Sequence, residues 1–310
     1  MTDFSNAKAR CSAIYQIMGG SDRKTNLQKW EEMCEELVKQ QTRQESMKKK
    51  DGPGYAKVVD TIDRLENCKR AFERVKDEPL PLSDGAKTFC SAWYADIKYG
   101  KWNPVKDIGN KYTSKGKAAE EEAIKLVNKL DGVGFVKNDE PVDNDHLTGT
   151  PDIIVGELYN AKEIHDVKSP WDCETFFSNL NADLNIQYEY QMQGYMAITG
   201  APVAYVHFCL VDVPDYIWEQ ERMRLFRRME VVTEESVEFL AAERLLKWNL
   251  TFSDMPPEER RIKFTVHRDE ELIKKIYSQV EKCREYLPEI ERMHLFGRNS
   301  AIAELDTAII

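Results

Sequence analysis

The stretch richest in chemistry is Gly149-Thr150-Pro151-Asp152, followed fourteen residues after its aspartate by Asp166-Val167-Lys168. Side chains alternate faces along a strand, so Asp166 and Lys168 share one face and Val167 points to the other. Asp152 opens the preceding strand, and a hairpin of this length can set its carboxylate beside that of Asp166. Two converging carboxylates make a hard-oxygen site suited to Mg²⁺ or Mn²⁺. A lysine next to them can hold or help deprotonate a water and stabilise charge on a phosphoryl group. Taken alone, Asp166 and Lys168 read more simply as a surface ion pair. The surrounding sequence changes that reading.

The elements that must position these residues follow from periodicity. Apolar residues at helical spacing predict helices over 26–47, 55–77, 84–100 and 117–130, the last opening on Glu120, Glu121 and Glu122, which suit a positive helix start. The period then changes: Val133–Lys137, Asp152–Gly156 and Glu163–Lys168 read as strands. Helices follow at 172–180 and 186–199, the second ending at the C-cap Gly200. Ala204–Val211 is a continuous apolar strand for the middle of a sheet. Helices at 217–231, 234–248 and 269–292, with a short strand at Ile262–Val266, complete the chain. The expected architecture is an α/β core, a central mixed sheet flanked by helices, with N- and C-terminal helical additions. The boundaries read as a helical region over 1–80, a core over 81–232, a helical extension over 233–297 and a tail over 298–310.

Glu120 lies four residues after Gly116, and Gln191 and Tyr195 sit one helical turn apart on a shared face. The ordered set Glu120, Asp152, Asp166-x-Lys168, Gln191-x-x-x-Tyr195 resembles the PD-(D/E)XK nuclease superfamily. It is most similar to the branch of phage lambda exonuclease, the YqaJ-type viral recombinases and RecB-type nuclease domains. Gly116-Lys117-Ala118-Ala119-Glu120 matches the start of that branch's first core helix, and the text from Leu184 to Ala201 is similar to phage-encoded members. The resemblance covers about residues 85–230 and extends weakly toward 290.

The resemblance implies a restriction-endonuclease-like core and a metal-dependent DNA nuclease, most closely an exonuclease acting on linear DNA ends in recombination or DNA processing. It implies that Asp152 and Asp166 ligate one or two Mg²⁺ or Mn²⁺ ions, with the Val167 carbonyl as a third ligand and Glu120 serving the metal directly, through a second ion or through water. Lys168 would position the nucleophilic water, and Gln191 and Tyr195 would orient Lys168 or contact phosphate. Asp166 stands where Glu is frequent, so its shorter arm brings a metal nearer the strand. The superfamily's iron–sulfur branch has a C-terminal cysteine cluster; here Cys283 stands alone in that region, and no cluster is expected. Duplex DNA ends, a single-strand annealing or single-strand binding protein, and further copies of the chain are the partners the resemblance suggests. A structure-specific or restriction-like endonuclease and a non-catalytic DNA-binding module that keeps the fold are the alternatives.

Other residues near the motif divide between two readings. Lys111, Lys115 and Lys117 precede Glu120 and read as a phosphate-contacting cluster or as solubilising charge. Ser169 and Trp171 follow Lys168 and could line a DNA groove, with rim packing equally open for the indole. His146 and His165 flank the site; a structural role suits both, since His165 faces away from Asp166 and His146 sits in a turn.

Composition sets outer bounds. The 310 residues carry 44 Lys and Arg against 54 Asp and Glu, a formal −10, and 42% are hydrophobic, which excludes wholesale disorder. The balance is uneven. Residues 1–118 hold 23 basic against 17 acidic residues, a formal +6, and the remainder carries −16. A polyanion is thus drawn to the first part, where Lys98, Lys101, Lys106, Lys111, Lys115 and Lys117 lead up to the Glu120 helix. Seven scattered cysteines without a C-x-x-C pair argue against a disulfide framework or structural zinc. With no apolar run long enough to span a bilayer and no secretory signal at the start, a cytoplasmic, membrane-free setting is expected.

Overall fold

A strand buried on both faces reads as a nearly continuous apolar run, and the residues around Ala204 have that character. The computed structural model describes residues 2–19, 24–78, 80–101, 111–180 and 183–297. Its strands are β1 (Ala9–Arg10), β2 (Val142–Asp143), β3 (Leu147–Gly149), β4 (Ile153–Glu157), β5 (Asn160–Lys168), β6 (Val203–Cys209) and β7 (Arg261–His267). Its α-helices are α1 (Ile14–Met18), α2 (Asn26–Ser46), α3 (Pro53–Glu73), α4 (Asp84–Tyr99), α5 (Lys111–Asp131), α6 (Cys173–Ser178), α7 (Ile186–Thr199), α8 (Asp215–Met229), α9 (Val237–Asn249) and α10 (Glu270–Phe296).

The main sheet has the order β4-β5-β6-β7. β4 and β5 form an antiparallel hairpin, β6 joins β5 in parallel, and β7 closes the far edge antiparallel to β6. A parallel neighbour needs a crossover, and α6 and α7 supply it. α5 covers one face, packing Ala119, Ala123 and Val127 against Ile153, Val167 and Cys209. α7 lies against β5 and β6, with Met192 and Met196 fully buried. It stops at Gly200, whose φ of 78° is the left-handed conformation of a helix C-cap and whose N–H donates to the Met196 carbonyl. The fold is the mixed α/β arrangement expected from the sequence.

Met1–Met18 and the chain from Gly85 onward form one unit, and Gly19–Asp84 form a second. The second is a pair of helices, α2 and α3, sharing a small core of Leu37, Val58 and Ile62. α2 opens on a capping box: Thr25 Oγ1 accepts from Gln28 N and Gln28 Oε1 accepts from Thr25 N. Within the first unit, α10 fastens the start of the chain. The Arg284 guanidinium donates to the Ala7 and Asp145 carbonyls, and Glu291 accepts from the Thr2 N–H and hydroxyl.

Two features depart from the sequence reading. Val133–Lys137 forms no strand, because the Asn128 side chain takes both backbone groups of Phe135, donating to its carbonyl and accepting from its N–H, each at 2.8 Å. A second, small sheet of order β1-β3-β2 was not foreseen; β1 pairs in parallel with β3, just ahead of Thr150. Cys11, following β1, wedges between Gly149 and Gly194: a Cβ on either glycine would lie 3.1 Å from its sulfur. At Gly194 that Cβ would also collide with the Ile14 side chain, which is fully buried and has no room to retreat. Gly194→Ala gains about 1 kcal/mol of helix propensity but overpacks this contact. A net destabilisation of about 1–3 kcal/mol is expected, read as a lower denaturation midpoint at unchanged slope; an unchanged or higher midpoint would contradict it.

Candidate active site

The hairpin register builds the site. Ile153 pairs with His165, so the next position outward sets Asp152 across from Asp166 on the same face of the sheet. Asp152 Oδ2 accepts the Val167 N–H at 2.7 Å, which fixes its carboxylate over the end of β5. Lys168 Nζ lies 2.5 Å from Asp166 Oδ2 in an ion pair. Asp166 is buried, and among the described residues this ammonium is the one cation on its Oδ2. The Lys168 ammonium also rests 5.3 Å from the centre of the Tyr188 ring.

Electrostatics follow from crowding two carboxylates in a poorly solvated corner. Burial, and then the neighbouring Asp166 charge, push the Asp152 carboxyl far above its ordinary range, to about 8. Burial works against the Lys168 ammonium, but the charges of Asp166 and Asp152 outweigh it and hold Lys168 above the usual lysine range. Burial likewise raises the Tyr195 phenol, with Asp166 adding to it, so Tyr195 stays protonated and serves as a donor.

These residues open on a cavity of about 630 Å³ whose wall includes Gly116, Lys117, Glu120, Asp152, Lys168 and Ser169. Glu120, on α5, faces it and holds Lys137 at 3.3 Å. Gln191 makes no described contact with Lys168; its amide donates to Tyr195 Oη at 3.0 Å, and Tyr195 Oη donates to the Thr150 carbonyl at 3.3 Å. The pair therefore steadies the Thr150–Asp152 segment. A Cβ on Gly149 would come within 2.6 Å of the Tyr195 ring, which explains a glycine there.

Of the lysines expected to form a cluster before Glu120, Lys115 is not a surface group. Lys115 is fully buried, its ammonium donating to the carbonyls of Pro170 at 2.6 Å and Trp171 at 3.3 Å and lying 4.9 Å from the centre of the Phe252 ring. Burial lowers it to about 8, with Asp172 and Asp212 opposing the shift. Lys98 is likewise engaged, 2.5 Å from Glu291. Lys117 is exposed on the cavity wall. Lys106 and the Lys111 side chain lie outside the described residues. The Trp171 indole is buried with Val213, Ile217 and Leu250. Ser169 Oγ is buried without a hydrogen-bond partner at the cavity.

On the opposite face of the sheet, His165 Nδ1 pairs with His207 Nε2 at 2.9 Å. His146 Nε2 contacts Glu281 at 2.8 Å, and its ring stacks on Tyr277. Neither histidine reaches the carboxylates. Sequence reasoning missed Tyr188 on α7, Thr175 and Ser178 on α6, and the α6 C-cap Asn179, all of which line the cavity. Tyr188, Gln191 and Tyr195 recur at i, i+3 and i+7, a spacing that marks one helix face and would have found the tyrosine.

Among the described residues, no group of three or more His, Cys, Asp or Glu side chains stands ready to hold a metal ion. A pair of carboxylates is still enough for Mg²⁺, which takes one or two protein carboxylates and fills its other positions with water and phosphate oxygens. Asp166 is met by the single ammonium of Lys168, and burial together with the Asp166 charge pushes the Asp152 carboxyl up, so among the described residues the two carboxyl groups outnumber the one cation beside them. The donor set fits a hard divalent cation.

With this geometry in view, comparison with known proteins is informative at the level of structure. The chain superposes on the crystal structure of a phage related exonuclease from Haemophilus somnus 129PT with a TM-score of 0.54. The match spans 93% of this chain and 96% of that one at 23% identity. The chain shares the fold of that structure. A weaker match, to an alkaline exonuclease from Laribacter hongkongensis, has a TM-score of 0.47 and 15% identity over 72% of this chain and 88% of that one. No protein-family model matches the chain, and no curated protein sequence does. Among the described residues, no helix is long and apolar enough to cross a membrane.

The Asp152 shift has a consequence for stability. Between the ordinary carboxylate range and about 8, the folded protein holds a proton on Asp152 that the unfolded chain has lost. Stability from this group therefore falls as pH rises through that window. Asp152→Asn keeps an acceptor for the Val167 N–H and removes the titration. Without added cation it should stabilise the protein at about pH 8 by on the order of 2 kcal/mol and change little near pH 4. Mg²⁺ should raise the melting temperature of the wild type at pH 8 and not that of the variant. Thermal melts at both pH values, with and without Mg²⁺, check this; an Asn variant that is less stable at pH 8 would refute it.

Proposed function

We propose that this protein is a metal-dependent DNA nuclease, an exonuclease acting on linear ends. The observation that carries the reading is the convergence of Asp152, Asp166 and Lys168 at one corner of the sheet, where Asp152, Lys168 and Glu120 line one cavity. The fold shared with a phage related exonuclease agrees with it.

Asp152 and Asp166, with the Val167 carbonyl, are the ligands for Mg²⁺ or Mn²⁺, and Glu120 is close enough in charge to act on Asp152. Such an ion neutralises phosphate charge and makes water a better nucleophile at neutral pH. Lys168, held in its cationic form, is a hydrogen-bond donor rather than a base: its Nζ orients the attacking water and stabilises negative charge gathering on the phosphoryl oxygens. The Tyr188 ring beneath that ammonium limits where it can swing. Tyr195, bonded to the Thr150 carbonyl and supported by Gln191, keeps the strand entry and hence the Asp152 carboxylate in place. Lys117 and Ser169 on the cavity wall are the groups available to phosphate oxygens.

The test is incubation of purified protein with 5′- and 3′-labelled linear duplex, single strand and closed circle, in Mg²⁺, Mn²⁺ or EDTA. Cleavage of linear but not closed DNA, abolished by EDTA, is expected. Asp166→Ala and Lys168→Ala should each lower the rate at least about a thousandfold while retaining the wild-type circular dichroism spectrum. Near-normal turnover in either variant, or activity surviving exhaustive chelation, would overturn the assignment; cleavage of closed circles would favour an endonuclease.

A further inference from the structure

A lysine fully removed from water normally either pairs with a carboxylate or gives up its proton. Lys115 instead spends its donors on two successive main-chain carbonyls, Pro170 and Trp171, which are the second and third residues after Lys168. It belongs to the helix that also supplies Gly116, Lys117 and Glu120 to the cavity. Its carbonyl partners belong to the segment that supplies Lys168, Ser169, Pro170 and Trp171 to the same cavity. A third segment closes the arrangement: the Phe252 ring lies against the ammonium, and the Asp212 carboxylate accepts the N–H groups of Phe252 and Ser253. Ala118 packs against the cluster that holds the Trp171 indole, so the same helix and loop also touch through apolar surface.

We infer that Lys115 is a positioning residue, a latch that ties the exit of β5 to the Glu120 helix and so fixes Lys168 and Ser169 relative to Glu120. The latch matters to the reaction through the nuclease reading, on which that part of the inference rests. Two exposed helix residues could not do this, since a surface contact yields to water. A buried ammonium with two carbonyl partners has no solvent to exchange them for. The carbonyls are equally dependent on it, because each would be left without this donor in an interior position. Displacing Lys168 by about an ångström from the position that suits the transition state can lower a rate about a hundredfold. The wall of the cavity is thus set from a residue that touches neither substrate nor metal ligand.

The test compares Lys115→Met, which keeps the length of the stem and removes the donors, with Lys115→Gln, which keeps one amide donor, in the full-length protein. Amide hydrogen exchange is read without DNA at Ser169, Trp171 and Asp172, with β6 as the internal reference. Steady-state cleavage of labelled linear duplex in Mg²⁺ is read in parallel. In Lys115→Met, exchange at the three amides should rise at least about tenfold while β6 stays as in wild type. Its kcat should fall by about 10- to 100-fold with KM within about twofold, and Lys115→Gln should lie between it and wild type on both readouts. If Lys115→Met does not fold, Lys115→Gln decides by the same two measurements. Unchanged exchange in both variants overturns the latch, and so does a rise in KM at unchanged kcat, which would make Lys115 a DNA-binding group. A wild type that cleaves no DNA overturns the nuclease reading instead, and the exchange data distinguish that failure from the failure of the latch.

Discussion

Two carboxylates and one ammonium share a corner of the sheet from which most water is excluded, and the architecture around them exists to keep them there. Like charges at short range in a poorly solvated place repel strongly. Asp152 shows the result, since its carboxyl is driven up to about 8 by burial and by Asp166. Lys168, paired with Asp166 Oδ2, offsets part of that repulsion. Such a corner weakens the fold locally and is tolerable only if packing elsewhere over-determines its geometry. It is also a place where a divalent cation gains more than it would from the same two carboxylates on an open surface.

The over-determination is visible in how many independent segments converge. The hairpin register brings Asp152 opposite Asp166; the Val167 N–H then seizes the Asp152 carboxylate. Tyr195 holds Thr150 from α7, and that helix can approach only because Gly149 and Gly194 leave space for the Tyr195 ring and for Cys11. The first eighteen residues, distant in sequence, thereby enter the support of the site, and α10 ties them in through Arg284. Gly19–Asp84 forms its own unit with its own small core.

What could be read from the sequence is what depends on short range. Asp166 and Lys168 share a face by strand alternation, Gln191 and Tyr195 by helix periodicity, and Gly200 ends its helix by its own conformational freedom. The rest depended on partners that no local pattern announces. Lys115 looks like a surface lysine beside Lys117, and only the carbonyl of Pro170, 55 residues away, shows otherwise. Val133–Lys137 has strand composition, yet one asparagine side chain takes the backbone groups of Phe135 that a ladder would need. β1 and β2 are two residues long, too short to carry any period, so the small sheet was invisible.

Charge counting misled for the same reason. The +6 of residues 1–118 does not come from the helical pair: Gly19–Asp84 holds 14 basic and 14 acidic residues. All of the excess therefore lies in the flanking parts, 1–18 and 85–118, which hold nine basic residues against three acidic ones. Four of those nine are spent internally: Lys8 on Asp143, Arg10 on Asp96, Lys98 on Glu291, and Lys115 on backbone carbonyls. A paired or buried cation contributes little to the field felt by an approaching polyanion. Among the described residues, the basic groups at the cavity are Lys117 on the wall and Lys168 at the carboxylates. On the nuclease reading proposed above, attraction for a phosphate chain is short-ranged and centred on the cavity. On that reading, a divalent cation held by Asp152 and Asp166 would turn the corner that repels a phosphate into one that binds it. Cation and substrate binding would then be two halves of one electrostatic event.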